Sequence, residues 1–172
     1  MANGILKVGE ITTSSGSGNI TIGSGVTLQS NAPAFFATMS ANQTGLTDNT
    51  FVLIQFNQTS VNEGSGFNTS TYKFVCPSGK AGKYYFTYGG ATGGLSNSTL
   101  GAIMLYKNGS GIDLSFARSY PNASTGAYPH KTYTVTLSVS DYIEVYGQHT
   151  KGSNADFQSE YTFFTGQRLI GV

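Results

Sequence analysis

The sequence predicts an all-β sandwich, and three observations carry that prediction. From Pro33 onward, short β-forming runs recur every 10–15 residues. No stretch of ten residues combines helical periodicity with capping residues. The intervening segments are rich in Gly, Ser, Thr and Asn, which supply turns and satisfy loop backbone.

The elements follow in order. Phe51-Val52-Leu53-Ile54-Gln55-Phe56 is a short, nearly continuous apolar run, as expected of a buried strand. Thr71-Tyr72-Lys73-Phe74-Val75 and Lys83-Tyr84-Tyr85-Phe86-Thr87-Tyr88 flank a turn segment running from Pro77 to Gly82. Ile103-Met104-Leu105-Tyr106-Lys107 ends in Asn108-Gly109, a hairpin signal because both residues tolerate positive φ. Tyr133 to Ser140 alternates, with Val135, Leu137 and Val139 on one face. Tyr142-Ile143-Glu144-Val145-Tyr146 alternates likewise after Asp141, and the last strand runs from Tyr161 through Gly166 to Leu169-Ile170. The Gly-, Ser- and Thr-rich interruptions at 89–99, 119–131 and 147–157 are expected to be the longer loops.

At 172 residues the chain holds one well-packed domain and a short appended arm. Only 10% of residues are charged and the net charge is +1, against about 25% charged in an ordinary domain. No net field favours nucleic acid or an anionic membrane. No window approaches the roughly 18 apolar residues of a spanning helix. Solubility falls to hydroxyls and amides, which suits a salty surrounding because few ion pairs are exposed to screening.

Residues 1–32 read differently from the rest. Ile20/Ile22 and Val26/Leu28 form short alternating runs split by Gly-Ser turns, too short to bury a core within one chain. They are expected to form an attachment arm, with Ile5, Val8, Ile20, Ile22, Val26 and Leu28 as its apolar contacts. Met1 to Lys7 lacks the apolar stretch of a secretory signal, so no export through a visible signal is expected. Seven Asn-x-Ser/Thr triplets, at Asn19, Asn42, Asn57, Asn68, Asn97, Asn108 and Asn122, read as a by-product of abundant Asn, Ser and Thr.

Catalytic and metal-binding patterns are missing from the sequence. Cys76 is alone and reads as a buried small side chain. His130 and His149 stand in polar segments without partners at metal or triad spacing. Asp141 and Glu144, three apart on a strand, make a poor acid/base pair. Calcium-type acidic clusters are absent, and Gly89 to Gly94 lacks the Lys of a phosphate loop. The expectation is no enzyme, no cofactor and no metal.

Seven short motifs in order resemble the C1q domain of the C1q/tumour-necrosis-factor superfamily, over residues 33–172. Pro33-Ala34-Phe35-Phe36-Ala37 is similar to the family's first strand, and Val61-Asn62-Glu63-Gly64 to its Val-x-Asn-x-Gly segment. Phe74-Val75-Cys76-Pro77-Ser78-Gly79 resembles Phe-Thr-Ala-Pro-x-x-Gly, and Gly82 to Thr87 resembles Gly-x-Tyr-Tyr-Phe-Ser. Leu105 to Gly109 matches Leu-x-Lys-Asn-Gly, and Val135 to Leu137 with Asp141 to Val145 resembles Val-x-Leu followed by Gly-Asp-x-Val. Thr162 to Gly166 with Leu169 looks like the closing Thr-Phe-Ser-Gly-x-Leu-Leu. Ser140 replaces the usual Gly before Asp141, and Gln167 and Arg168 stand where apolar residues are common.

The resemblance implies a C1q/TNF-like jelly-roll sandwich that is trimeric. Phe74, Tyr84, Phe86, Phe163 and Leu169 are then expected in the core, and Gly79, Gly82 and Gly166 where a Cβ is not tolerated. Phe35, Tyr85, Tyr142 and Phe164 neighbour core residues and are expected to face a homotrimer interface. The expected function is a bacteriophage virion structural protein on the particle surface: a capsid decoration, head fibre or tail-fibre tip. In that reading other virion proteins hold the arm. A host glycan or protein would meet Ser96, Asn97, Arg118, Tyr120, Tyr128, His130, His149 and Lys151. The alternative is a soluble C1q-like recognition protein, lectin-like or a ligand, of a cellular organism.

Overall fold

A computed structural model describes residues 32–96, 98–121 and 126–171. The attachment residues Ile5, Val8, Ile20, Ile22, Val26 and Leu28 lie outside the described residues, as does Asn97.

Along the chain the strands are β1 (Ala34–Thr38), β2 (Gln43–Leu46), β3 (Val52–Leu53), β4 (Gln58–Glu63), β5 (Phe67–Asn68) and β6 (Lys73–Val75). Then come β7 (Gly82–Gly89), β8 (Thr92–Gly93), β9 (Gly101–Lys107), β10 (Ser110–Gly111) and β11 (Ala117–Ser119). The series ends with β12 (Gly126–Ala127), β13 (His130–Leu137), β14 (Tyr142–His149), β15 (Ala155–Phe157) and β16 (Phe163–Gly171). Short 3-10 turns at Asp113–Ser115 and Ser159–Tyr161 are the helical elements among the described residues.

One sheet runs β13-β7-β16-β1-β4, so the first and last long strands lie side by side. Ala34 pairs with Gln167 and Thr38 with Phe163. The facing sheet runs β10-β9-β14-β6-β5, with β11 added on β9 and β3 on β14. Every pairing between these strands is antiparallel. This is the all-β jelly-roll sandwich that the motif order implies.

The core between the sheets is aromatic. Phe35 stacks on Phe67 at 4.9 Å and Phe74 at 5.2 Å, and meets the edge of Phe164 at 4.8 Å. Phe86 lies 5.6 Å from Phe164 and 5.7 Å from Phe74. Both sheets contribute to this cluster, and Phe74, Tyr84 and Phe86 are buried in it. Full burial of each is worth roughly 1.5–3 kcal/mol. Gly166 makes the packing possible: a Cβ there would lie 2.3 Å from Phe86 and 2.8 Å from Phe35.

Four side-chain assignments change. Phe35 and Phe164, expected outward, are 2% and 0% exposed and belong to the core. Phe163 is only half-buried, and Leu169 is 48% exposed at a bulge between Arg168 and Ile170. The expectation placed Phe163 inside and Phe35 and Phe164 outside; the register between β1 and β16 turns Phe35 and Phe164 inward instead. Strand bounds shift for local reasons. In the 51–56 run only Val52–Leu53 enters a ladder, although Ile54 and Phe56 are fully buried. Val139 leaves the expected face because β13 ends at Leu137 and the chain turns.

The Asn108-Gly109 hairpin and the Asp141 turn are tied together. Asn108 and Gly109 have φ of 52° and 80°. Asn108 donates from Nδ2 to Asp141 Oδ1 at 2.8 Å and accepts from Tyr142 N at 2.9 Å. Asp141 Oδ2 accepts from Lys107 Nζ and from Ser138 N, both at 2.8 Å. Two motifs far apart in sequence are thus one hydrogen-bonded unit. The Lys107 ammonium, with Asn108 and the Ser138 amide, pulls the Asp141 carboxyl down to about 2.

The depressed carboxyl contributes stability above the ordinary Asp range, and that stability is lost as pH falls toward 2. Asp141→Ala should therefore cost roughly 1–2 kcal/mol at neutral pH, after discounting for solvent around the pair. The difference from the parent should shrink on acidification, as read from urea melts at several pH values. Ser140 has φ of 70°, the left-handed region where the related motif has Gly. Ser140→Gly should raise stability by about 0.5–1 kcal/mol in the same melts.

Candidate functional site

The three segments expected to be loops contain strands. β8 lies in 89–99, β12 in 119–131 and β15 in 147–157, and with β2 they form a third sheet, β12-β8-β15-β2. Two- and three-residue strands in Gly-rich sequence carry no readable period, so this sheet was invisible to patterning. It gathers the segments at one end of the sandwich, where β7 ends and β13 and β16 begin.

His149 pins that end together. It closes β14 and is 1% exposed, where a loop histidine was expected. Its Nε2 lies 3.0 Å from Leu46 O and its Nδ1 3.3 Å from Asp48 Oδ1. Gly152 N donates to the same Asp48 oxygen at 2.8 Å, and Asn49 N donates to His149 O at 2.8 Å. The histidine thus positions the 149–154 segment instead of meeting a ligand. His130 is exposed, but as the first residue of β13.

Two recesses open here. A polar cleft of about 270 Å³ is lined by Asn42, Gly93, Lys151, Asn154, Asp156 and Gln158. A separate, largely apolar groove of about 360 Å³ runs between Tyr128, His130, Tyr161 and Phe163. Tyr128 and Tyr161 meet edge to face at 5.7 Å and are 46% and 52% exposed. Arg118 and Tyr120 form their own exposed pair, the guanidinium 6.0 Å from the ring. Ser96 is exposed, its carbonyl taking bonds from Thr99. The expected ligand residues therefore do not form one site. Lys151 lines the cleft, Tyr128 and His130 line the groove, and Arg118 and Tyr120 line neither. Asn42, Asp156, Gln158 and Tyr161 were not expected at a ligand site: Asn42 reads only as an Asn-x-Thr triplet, Tyr161 as the start of a strand, and Asp156 and Gln158 carry no motif.

The outward face of the five-stranded sheet carries exposed apolar side chains. Alternation that sends Phe35 inward sends Phe36 outward, where it is 37% exposed and parallel to Phe163 at 6.2 Å. Val61 pairs with Phe36, and Tyr85 stands two strands away; both are about 40% exposed by the same alternation. The row through Val61 and Phe36 continues across the sheet as Thr165, Thr87 and Thr132, with Thr87 and Thr132 hydroxyls 3.2 Å apart. Lys83 and Glu63 sit at one end of this face, leaving its centre uncharged.

Tyr142, expected on the same surface as Tyr85, belongs to the other sheet. Lys73 Nζ lies over its ring at 4.1 Å, and Tyr106 stacks on Tyr146 at 4.0 Å nearby. Glu144, between these tyrosines in sequence and register, is 8% exposed, and burial pushes its carboxyl above the ordinary value. Cys76 is buried, its Sγ 3.4 Å from Lys80 O. Among the described residues no group of three His, Cys, Asp or Glu is placed to hold a metal ion. Among the described residues no helix is long and apolar enough to cross a membrane.

Solved structures of the same fold are similar over most of the chain. The globular domain of zebrafish complement 1qA matches with a TM-score of 0.59 at 15% identity, covering 81% of this chain and 99% of that one. Murine APRIL matches at 0.59 and 11% identity, covering 80% and 99%. Eiger TNF from S. frugiperda matches at 0.56 and 11%, covering 82% and 93%. No curated protein matches the chain significantly. The C1q domain model matches residues 34–169, from the first residue of β1 to the bulge in β16, and the chain belongs to the C1q domain family.

Proposed function

We propose that the chain works as a homotrimer, without catalysis, displayed on the surface of a bacteriophage particle with its loop end available for recognition. The observation that carries the assembly is the outward face of the β13-β7-β16-β1-β4 sheet. Phe36, Val61 and Tyr85 are exposed there beside Phe163. An uncharged apolar patch on a soluble domain marks an interaction surface. C1q and TNF-type domains commonly form homotrimers, which makes a second and third copy the natural cover.

The virion setting rests on composition. With 10% charged residues, the surface is carried by hydroxyls and amides, which salt does not weaken. A trimer offers three copies of every loop feature, and many trimers on a particle multiply weak contacts.

Light scattering at micromolar concentration should give three times the 18.1 kDa chain mass. The double variant Phe36→Glu/Tyr85→Glu should run as a folded monomer, because two carboxylates would be buried at the interface without partners. A parent protein that is monomeric at that concentration would remove the trimer. For the setting, density-gradient particles from the source culture should carry this chain in a fixed multi-copy ratio to a capsid protein. Recovery only in the particle-free fraction would instead make it a free recognition protein.

A further inference from the structure

The polar cleft holds more hydrogen-bonding capacity than the protein itself uses. Asp156 spends Oδ1 on Gly45 N at 3.1 Å, while its other oxygen has no bond among the described residues. Asn42 accepts from Ser159 N and Oγ through Oδ1, leaving its amide hydrogens unspent. Lys151 Nζ makes one long contact, 3.4 Å to Asn154 O. Donors and acceptors are therefore interleaved around one recess. Gly93 keeps it open, because a Cβ there would stand 2.7 Å from Gln158 Nε2.

Charge, lining and size narrow the occupant. Lys151 and Asp156 balance, so the recess does not select an anion or a cation. One carboxylate is too few for a hard metal ion. Ala155 is the one apolar side chain of the lining, which has no aromatic platform, unlike the groove beside Tyr128. A volume of about 270 Å³ holds roughly nine waters and lies just below the range of drug-sized pockets. That leaves a small, neutral ligand whose every edge both donates and accepts, and adjacent hydroxyls on a sugar ring have that property.

We propose that this cleft binds one neutral pyranose ring, with vicinal hydroxyls donating to Asp156 and accepting from Lys151 and the Asn42 amide. The proposal rests on the reading of the domain as a recognition module and gives that reading a site and a ligand class. Without an apolar platform the single-site affinity lies in the millimolar range, and useful binding comes from several copies acting together.

The test is a titration of the 15N-labelled full chain with methyl glycosides of glucose, galactose, mannose and N-acetylglucosamine, taken well above millimolar concentration. Methyl glucuronide and sorbitol serve as comparison probes. The expected result is saturable shifts at Gly93, Gly94, Lys151 and Asp156 with at least one neutral glycoside. Asp156→Asn keeps an acceptor for Gly45 N and should weaken that binding roughly tenfold at unchanged melting temperature. Lys151→Met is the second variant, at a side chain that is exposed and so unimportant for folding. No saturable shift with any neutral glycoside, shifts centred elsewhere, equal response to sorbitol, preference for the glucuronide, or indifference to both substitutions would each overturn the proposal. Single-site shifts do not depend on assembly, so light scattering on the same sample separates failure of this site from failure of the trimer.

Discussion

The contact between Phe35 and the rings of Phe67, Phe74 and Phe164 is the constraint on which the rest of the sandwich depends. Phe35 comes from the first strand and Phe164 from the last, so the cluster closes one sheet with residues about 130 positions apart in sequence. Phe67 and Phe74 come from the facing sheet, so the same ring also sets the spacing between sheets. Aromatic pairs at these separations add about 0.5–1.5 kcal/mol beyond their area burial. They also fix register, because a one-residue slip would send Phe36 and Phe163 inward in their place.

Core and outer surface are consequently one decision. Once Phe35 and Phe164 point between the sheets, Phe36 and Phe163 must point away, and they meet again as a parallel pair on the outside. The apolar outer face is a direct product of two Phe-Phe dipeptides on adjacent strands, not a separate feature added to a finished fold. A domain that needed only a core would place polar residues at positions 36 and 163.

Much of the fold was legible in the sequence because its signals are local. The Asn108-Gly109 turn, the alternation around Ile143 and Val145, and the Gly at 166 each follow from backbone sterics or a period of two. The order of such signals sufficed for the family. Which Phe of each pair faces inward was not legible, since that depends on cross-strand register and no local signal records it. The same limit applied at the loop end. The third sheet is made of strands of two to four residues, and His149 looked like a loop residue until pairing placed it at the end of β14. Of the cleft, only Lys151 had been singled out. Asp156 and Gln158 alternate with the core residue Phe157, a pattern too short to separate from chance.

The side-by-side pairing of β1 and β16 has a directional consequence. Ala34 enters opposite Gln167, while Thr38, Gly89, His130 and Phe163 line up at the far end of the same sheet. The described domain therefore has a base, where the chain arrives and leaves on neighbouring strands, and a tip, where the small sheet, the cleft and the groove are gathered. Within the described domain the two chain ends and the recesses therefore lie at opposite ends of one sheet, so substitutions at the tip leave the β1–β16 pairing untouched.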